Sequence, residues 1–116
     1  MKIAQVAPLH ESVPPKLYGG TERIVAFLCD ALVDLGHEVT LFACGDARTK
    51  AELVATRERA LRLDPDPLHW ELPAHLLQLA EVQKRAHEFD LIHFHTDPIY
   101  FPAFADQARR TITTLR

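Results

Sequence analysis

Tyr18-Gly19-Gly20-Thr21-Glu22-Arg23 is the stretch on which the fold of this chain turns. Its glycine pair follows an apolar strand and a long proline-bearing loop, and it opens an amphipathic helix. Residues 2–7 (Lys-Ile-Ala-Gln-Val-Ala) read as a short, largely apolar strand, which Pro8 ends. After the glycines, Ile24, Phe27, Leu28, Ala31, Leu32 and Leu35 recur at three- and four-residue spacing, which predicts a helix with these six positions as its buried stripe. Thr21 is the expected N-cap. Asp34 is a poor helix former near the end, and Gly36 is the natural residue just past it. Residues 38–43 (Glu-Val-Thr-Leu-Phe-Ala) then supply a second apolar strand. Strand, helix and strand in about forty residues make a βαβ unit, whose handedness lays the helix on one face of a parallel sheet.

Position gives the glycines a chemistry as well. A helix N-terminus presents unpaired backbone N–H groups and the positive end of the helix dipole, and glycines let a phosphate or sugar approach those groups closely. The competing reading is structural: glycine permits a tight turn and close helix packing. Glu22, in the first turn, suits the dipole, while Arg23 either reaches a phosphate or points to solvent. The connection from Leu9 to Tyr18 is long for a strand-to-helix loop. It reads either as a functional segment stiffened by Pro14-Pro15, with His10, Glu11, Ser12 and Lys16 offering polar contacts, or as a solvated loop.

With 116 residues, 47% of them hydrophobic, the chain builds one modest core, so residues 1–116 are read as a single domain. A net charge of −3, with both signs scattered, leaves no footprint for nucleic acid or an anionic membrane. No apolar run reaches bilayer-spanning length, and the N-terminus enters a strand without a signal-peptide pattern, so a cytoplasmic location is expected. Cys29 and Cys44 form no CxxC and are expected to be buried, reduced thiols.

Further along, Gly45-Asp46 marks the loop after the second strand, at the carboxyl edge where open α/β sheets place ligands. Leu53-Val54-Ala55 is read as a short strand, and residues 57–63 as a helical turn or an extended segment, ended by Asp64-Pro65-Asp66-Pro67. A second amphipathic helix is predicted over residues 73–86, with Pro73 in its first turn and Leu76, Leu77, Leu79, Ala80 and Val82 as its apolar positions. In Phe89-Asp90-Leu91-Ile92-His93-Phe94-His95-Thr96-Asp97, alternation puts Leu91, His93 and His95 on one face of a strand. No third ligand at a recognisable spacing accompanies the two histidines, so no metal site is read here. His93 reads as a hydrogen-bonded core histidine, and His95, at the strand's end, as a site residue. A short helix over residues 100–109 and a last strand over residues 111–115 (Thr-Ile-Thr-Thr-Leu) complete the pattern.

A dinucleotide-binding protein would carry GxGxxG straight after the first strand and an acidic residue ending the second. This chain instead interposes Leu9 to Gly19 and ends that strand in Ala43-Cys44. Another combination fits better. Met1-Lys2-Ile3-Ala4 with Pro8, Tyr18-Gly19-Gly20-Thr21-Glu22-Arg23, Leu35-Gly36-His37-Glu38-Val39, Phe42-Ala43 with Gly45-Asp46, and Phe89-Asp90-Leu91-Ile92-His93-Phe94-His95 together resemble the N-terminal domain of a bacterial glycosyltransferase of family 4. The resemblance runs over essentially the whole chain.

That resemblance implies one Rossmann-like half of a GT-B architecture, in which two such domains face a cleft. It implies transfer of a sugar from a nucleotide donor, a UDP- or GDP-sugar, to an acceptor, with retention of configuration and no metal or other cofactor. The N-terminal domain would shape the acceptor side, giving substrate- or phosphate-binding roles to Gly19, Gly20, Thr21 and His95. The donor-binding domain of the family, with its paired glutamates, has no counterpart in these residues. Arg116 stands where the family commonly has a histidine beside the reacting sugar, so no catalytic residue is assigned. The expectation is therefore a chain with little or no transferase activity alone, inclined to homodimerise through an exposed edge or apolar patch. The alternative is a non-catalytic binding or interaction module derived from the same domain.

Overall fold

A computed structural model describes residues 1–16, 19–63, 71–96 and 100–114. Five strands form one sheet: β1 (Lys2–Val6), β2 (Glu38–Phe42), β3 (Glu52–Val54), β4 (Leu91–Phe94) and β5 (Thr111–Thr113). All are parallel, in the order β3-β2-β1-β4-β5. This is the expected α/β, Rossmann-like sheet. The chain winds outward from β1 through β2 to β3, then returns to lay β4 on the other side of β1, so the order reverses between β1 and β4.

Helices cover the two faces. Helix α1 (Gly20–Asp34) packs on Ala7, Val39, Leu41 and Ala43, while α2 (Glu71–Arg85) packs on Ala4, Val6, Phe42 and Ile92 of the opposite face. Parallel strands need this double cover, which is why β1 and β2 read as nearly continuous apolar runs. On the α2 side, Phe94 is flanked by Tyr100 and Phe104 at centroid distances of 5.2 and 5.0 Å. Those two residues come from the segment expected to be a short helix. Residues Pro102–Arg110 form it as 3-10 turns, with Phe104 and Gln107 leaving helical geometry.

Two helix faces differ from their sequence reading. In α1 the buried residues are Glu22, Val25, Ala26 and Cys29, whereas Ile24, Phe27 and Leu35 are 48%, 68% and 75% exposed. Apolar side chains surround most of this helix, so spacing alone does not choose the face; the sheet takes the side carrying Ala26 and Cys29, whose small side chains permit close approach. In α2 the inward residues are Ala74, Gln78 and Val82, with Leu76 and Leu77 exposed and Leu79 only partly packed. A buried glutamine sits at the centre of that face. Its Nε2 donates to the carbonyls of Ala7 (3.0 Å) and Phe42 (3.2 Å), and its Oε1 accepts from the Tyr100 hydroxyl at 2.7 Å.

The ends of α1 are partly as expected. Gly36 adopts φ 95° just past the helix, and the amides of Gly36 and His37 donate to the carbonyls of Val33 and Leu32, the paired bonds of a Schellman ending. Thr21 is not the N-cap. Gly19 holds that position, and no side chain caps the helix. The ambiguous middle resolves into β3 and a 3-10 turn at Leu61–Leu63. Tyr18, Asp97, Leu115, Arg116 and the Asp64-Pro65-Asp66-Pro67 stop lie outside the described residues.

Candidate functional site at the carboxyl edge of the sheet

Gly19 is held in place by its neighbours. A Cβ there would stand 2.7 Å from Glu22 Oε2, the tip of a side chain that would have to turn away, and 3.3 Å from both Glu11 Cγ and Pro15 Cβ, which would have to give by a few tenths of an ångström. Gly20, the first helical residue, meets nothing within 4 Å of its hypothetical Cβ and is exposed. The first helical bond runs from the Arg23 amide to the Gly19 carbonyl at 3.1 Å. The uncapped start of α1 therefore opens to solvent at Gly20, while the buried Glu11 and Glu22 carboxylates back it at Gly19.

The loop before the glycines is packed rather than solvated. Leu9, Glu11, Ser12, Val13 and Pro15 are buried, Arg62 Nε pairs with Glu11 Oε1 at 2.6 Å, and the Arg48 amide donates to the Val13 carbonyl at 2.7 Å. His75 of α2 anchors its start: the Leu9 amide donates to His75 Nε2 (3.1 Å), and Nδ1 donates to the Glu71 carbonyl (2.7 Å). This arrangement uses the neutral ring, with its one proton on Nδ1.

Both histidines of the Asp-Leu-Ile-His-Phe-His stretch lie on the α1 face, as alternation requires. His95 follows β4 directly, its amide donating to the Val6 carbonyl at 2.9 Å, which sets it at the carboxyl edge beside β1. Its ring is buried and pairs with Gln5 through an Nε2–Oε1 contact of 2.7 Å. Half-buried His93 meets Thr114 through Nε2 and Oγ1 at 2.7 Å, and the two rings lie 4.0 Å apart, tilted by 38°. The hydrogen-bonded reading of His93 thus holds. Among the described residues no three His, Cys, Asp or Glu side chains converge as a metal cluster.

Gly19 as N-cap, with Gly20 and Thr21, thus opens the helix that follows β1, and His95 directly follows the neighbouring β4. These are the two sides of the point where strand order reverses, the place at which open α/β sheets receive ligands. Gln5, which positions the His95 ring, and Gln78, which ties the ends of β1 and β2 together, escaped the sequence reading. Strand alternation could have exposed Gln5, since it breaks the apolar run of Ile3, Ala4, Val6 and Ala7. Two buried side-chain oxygens at this edge, Asp46 Oδ1 and Thr96 Oγ1, have no hydrogen-bond partner. A cavity of about 420 Å³ lined by Phe94, Tyr100, Phe101 and Phe104 lies on the opposite face, away from the histidines.

The thiols are chemically quiet. Burial pushes Cys29 and Cys44 up to about 12 from 9.0, helped by the charges of Asp30 and Asp46 respectively. Both are free, and the Cys44 thiol donates to the Leu9 carbonyl at 3.5 Å. Among the described residues no helix is long and apolar enough to cross a membrane.

A parallel sheet whose strand order reverses between β1 and β4, with a glycine-led helix starting at that reversal, is a Rossmann-like α/β geometry. The chain belongs to glycosyltransferase family 4, whose family model matches residues 18–115. Among solved structures it is similar to AviGT4, a glycosyltransferase involved in avilamycin A biosynthesis, with 27% identity and a TM-score of 0.51. That match covers 81% of this chain and 25% of AviGT4, so the chain spans about a quarter of that enzyme's length. No curated protein matches.

Proposed function

We propose that these residues form the acceptor-side domain of a retaining, metal-independent glycosyltransferase, which moves a sugar from a UDP- or GDP-sugar when a donor-binding domain faces the carboxyl edge. The observation that carries this reading is the uncapped, solvent-open start of α1 at the β1–β4 reversal. Diphosphate departure develops negative charge, and backbone N–H groups at a helix start stabilise such charge without a metal. Gly19, Gly20 and Thr21 supply those groups, and His95, its buried ring held by Gln5, follows the strand across the reversal. No residue is assigned as catalytic.

Transfer needs donor and acceptor held together in a water-poor cleft. A single sheet edge supplies one wall, so the chain alone has little or no transferase activity. A cytoplasmic location agrees with its two reduced thiols.

Calorimetric titration with UDP, GDP and their sugars, beside a turnover assay, tests the proposal. The expected outcome is binding without turnover, weakened at least about tenfold in Gly20→Ala, whose added methyl group stands where a ligand would approach. Robust transfer by the chain alone overturns the inactivity. Binding unchanged in both Gly20→Ala and His95→Ala overturns the site assignment, and no binding at all favours the non-catalytic module.

A further inference from the structure

Buried Leu9 is tied to its surroundings through both backbone groups. Its carbonyl accepts from the Leu61 amide at 2.8 Å and from the Cys44 thiol at 3.5 Å. Its amide has one acceptor among the described residues, Nε2 of His75 at 3.1 Å, and this is the link that acid can break. The ring's other nitrogen is already committed, because Nδ1 donates to the Glu71 carbonyl at 2.7 Å. A second proton, on Nε2, would set one N–H against another in a part-buried place and leave the Leu9 amide without an acceptor.

What this bond holds is the segment that backs the glycine pair. Residues 9–15 belong to no helix or strand, yet most of them are buried, and Glu11 and Pro15 among them crowd Gly19. Individual bonds such as that from Leu9 to His75 therefore do the anchoring that a ladder does elsewhere. Among the described residues, the titratable and charged groups around His75 are His10, the Glu11–Arg62 pair, Glu71, Cys44, and Tyr100, whose hydroxyl donates to the His75 carbonyl at 3.1 Å. The His10 ring stands 5.2 Å from the His75 ring, with its Nδ1 3.8 Å from the Glu71 carboxylate. A proton on His10 draws it toward Glu71 and leaves the Leu9 bond in place. Of the two rings, only His75 takes a proton at the expense of the closed segment.

We propose that His75 is a pH-sensitive latch on residues 9–15, closed while its ring is neutral and released when Nε2 takes a proton. Because the Leu9 bond exists only in the closed form, opening and proton uptake are linked. With the ordinary histidine value of about 6.5 in the opened segment, the open population rises about tenfold between pH 7.5 and pH 5.5. The functional consequence rests on the ligand reading given above. Opening withdraws Glu11 and Pro15 from Gly19, so a ligand at the start of α1 binds more weakly in acid.

Hydrogen exchange of the Leu9 amide, followed by NMR without ligand and divided by its intrinsic rate at each pH, tests the latch apart from any ligand. The expected result is exchange about tenfold faster at pH 5.5 than at pH 7.5 in the natural chain and in His10→Gln. In His75→Gln, whose Oε1 accepts at the reach of Nε2 but takes no proton, the change is expected to stay below about twofold. A flat profile in the natural chain overturns the latch, as does a slope that survives in His75→Gln or vanishes in His10→Gln. Should His75→Gln fail to fold, the ring nitrogens of the natural chain decide. An unprotonated Nε2 at pH 7.5 is expected, and a doubly protonated ring at pH 5.5 beside an equally protected Leu9 amide overturns the latch. The expected exchange profile with no UDP or GDP binding at either pH supports the latch and overturns the ligand reading.

Discussion

Gly19 and Gly20 are neighbours with opposite constraints. A Cβ at Gly19 would crowd Glu22, Glu11 and Pro15, whereas one at Gly20 would meet nothing within 4 Å. Gly19→Ala is therefore expected to destabilise the fold by about 1–3 kcal/mol through overpacking. Gly20→Ala, at a helical position, is expected to leave stability unchanged or raise it by about 0.5 kcal/mol. Urea unfolding of the two variants measures this, and equal effects would mean that the pair acts only as a flexible turn. Gln78 is the other decisive residue. Replacing it with Ala removes its bond to the Ala7 carbonyl, leaves the Phe42 carbonyl with the Ala7 amide and the Tyr100 hydroxyl with the His75 carbonyl, and opens a cavity, at an expected cost of about 2–4 kcal/mol. Tyr100→Phe should cost about 1–2 kcal/mol and add less than its full effect in the double variant, since the two side chains share one bond.

At the level of elements, the strands were legible and the helix faces were not. Residues 2–7 and 38–43 are apolar on both sides because both faces of the sheet are packed, and that composition reads directly as a central strand. Gly36 was legible as a helix stop because a Schellman ending needs a positive φ. Helix α2 was not, because its inward row of Ala74, Gln78 and Val82 is small and polar while larger Leu76 and Leu77 point outward. Hydrophobic spacing weighs size, whereas the sheet selected for fit and for a glutamine able to bridge two strand ends. Thermal unfolding separates the two assignments. Val82→Ala is expected to cost about 1–3 kcal/mol and Leu77→Ala less than about 0.5 kcal/mol; the reverse order would restore the periodicity-based face. The candidate site was legible in its glycines and in His95, which strand order later set on either side of the reversal. Gln5 showed only as a break in the apolar run of β1, and nothing in its spacing pairs it with His95 ninety residues away.

For the whole molecule, the two thiols report on two separate layers of the core. Cys29 lies in the layer between α1 and the sheet, and Cys44 beneath the packed Leu9 segment, so neither is reachable without opening a large part of the structure. In the folded state each is pushed up to about 12, against 9.0 for a free thiol. Above pH 9 the unfolded chain loses thiol protons that the folded chain keeps, so the unfolded state binds fewer protons and stability falls as pH rises. The contribution of the thiols is thus intact below pH 9 and lost progressively as pH rises through about 12. Urea midpoints measured across this range should fall more steeply for the natural chain than for Cys29→Ala/Cys44→Ala, the difference isolating the thiols from other alkaline titrations. At pH 8 both cysteines should react with a thiol reagent only at the rate at which the protein opens, and become fully reactive in denaturant. Fast labelling of either one in the native state would mean that its layer opens separately from the rest of the fold.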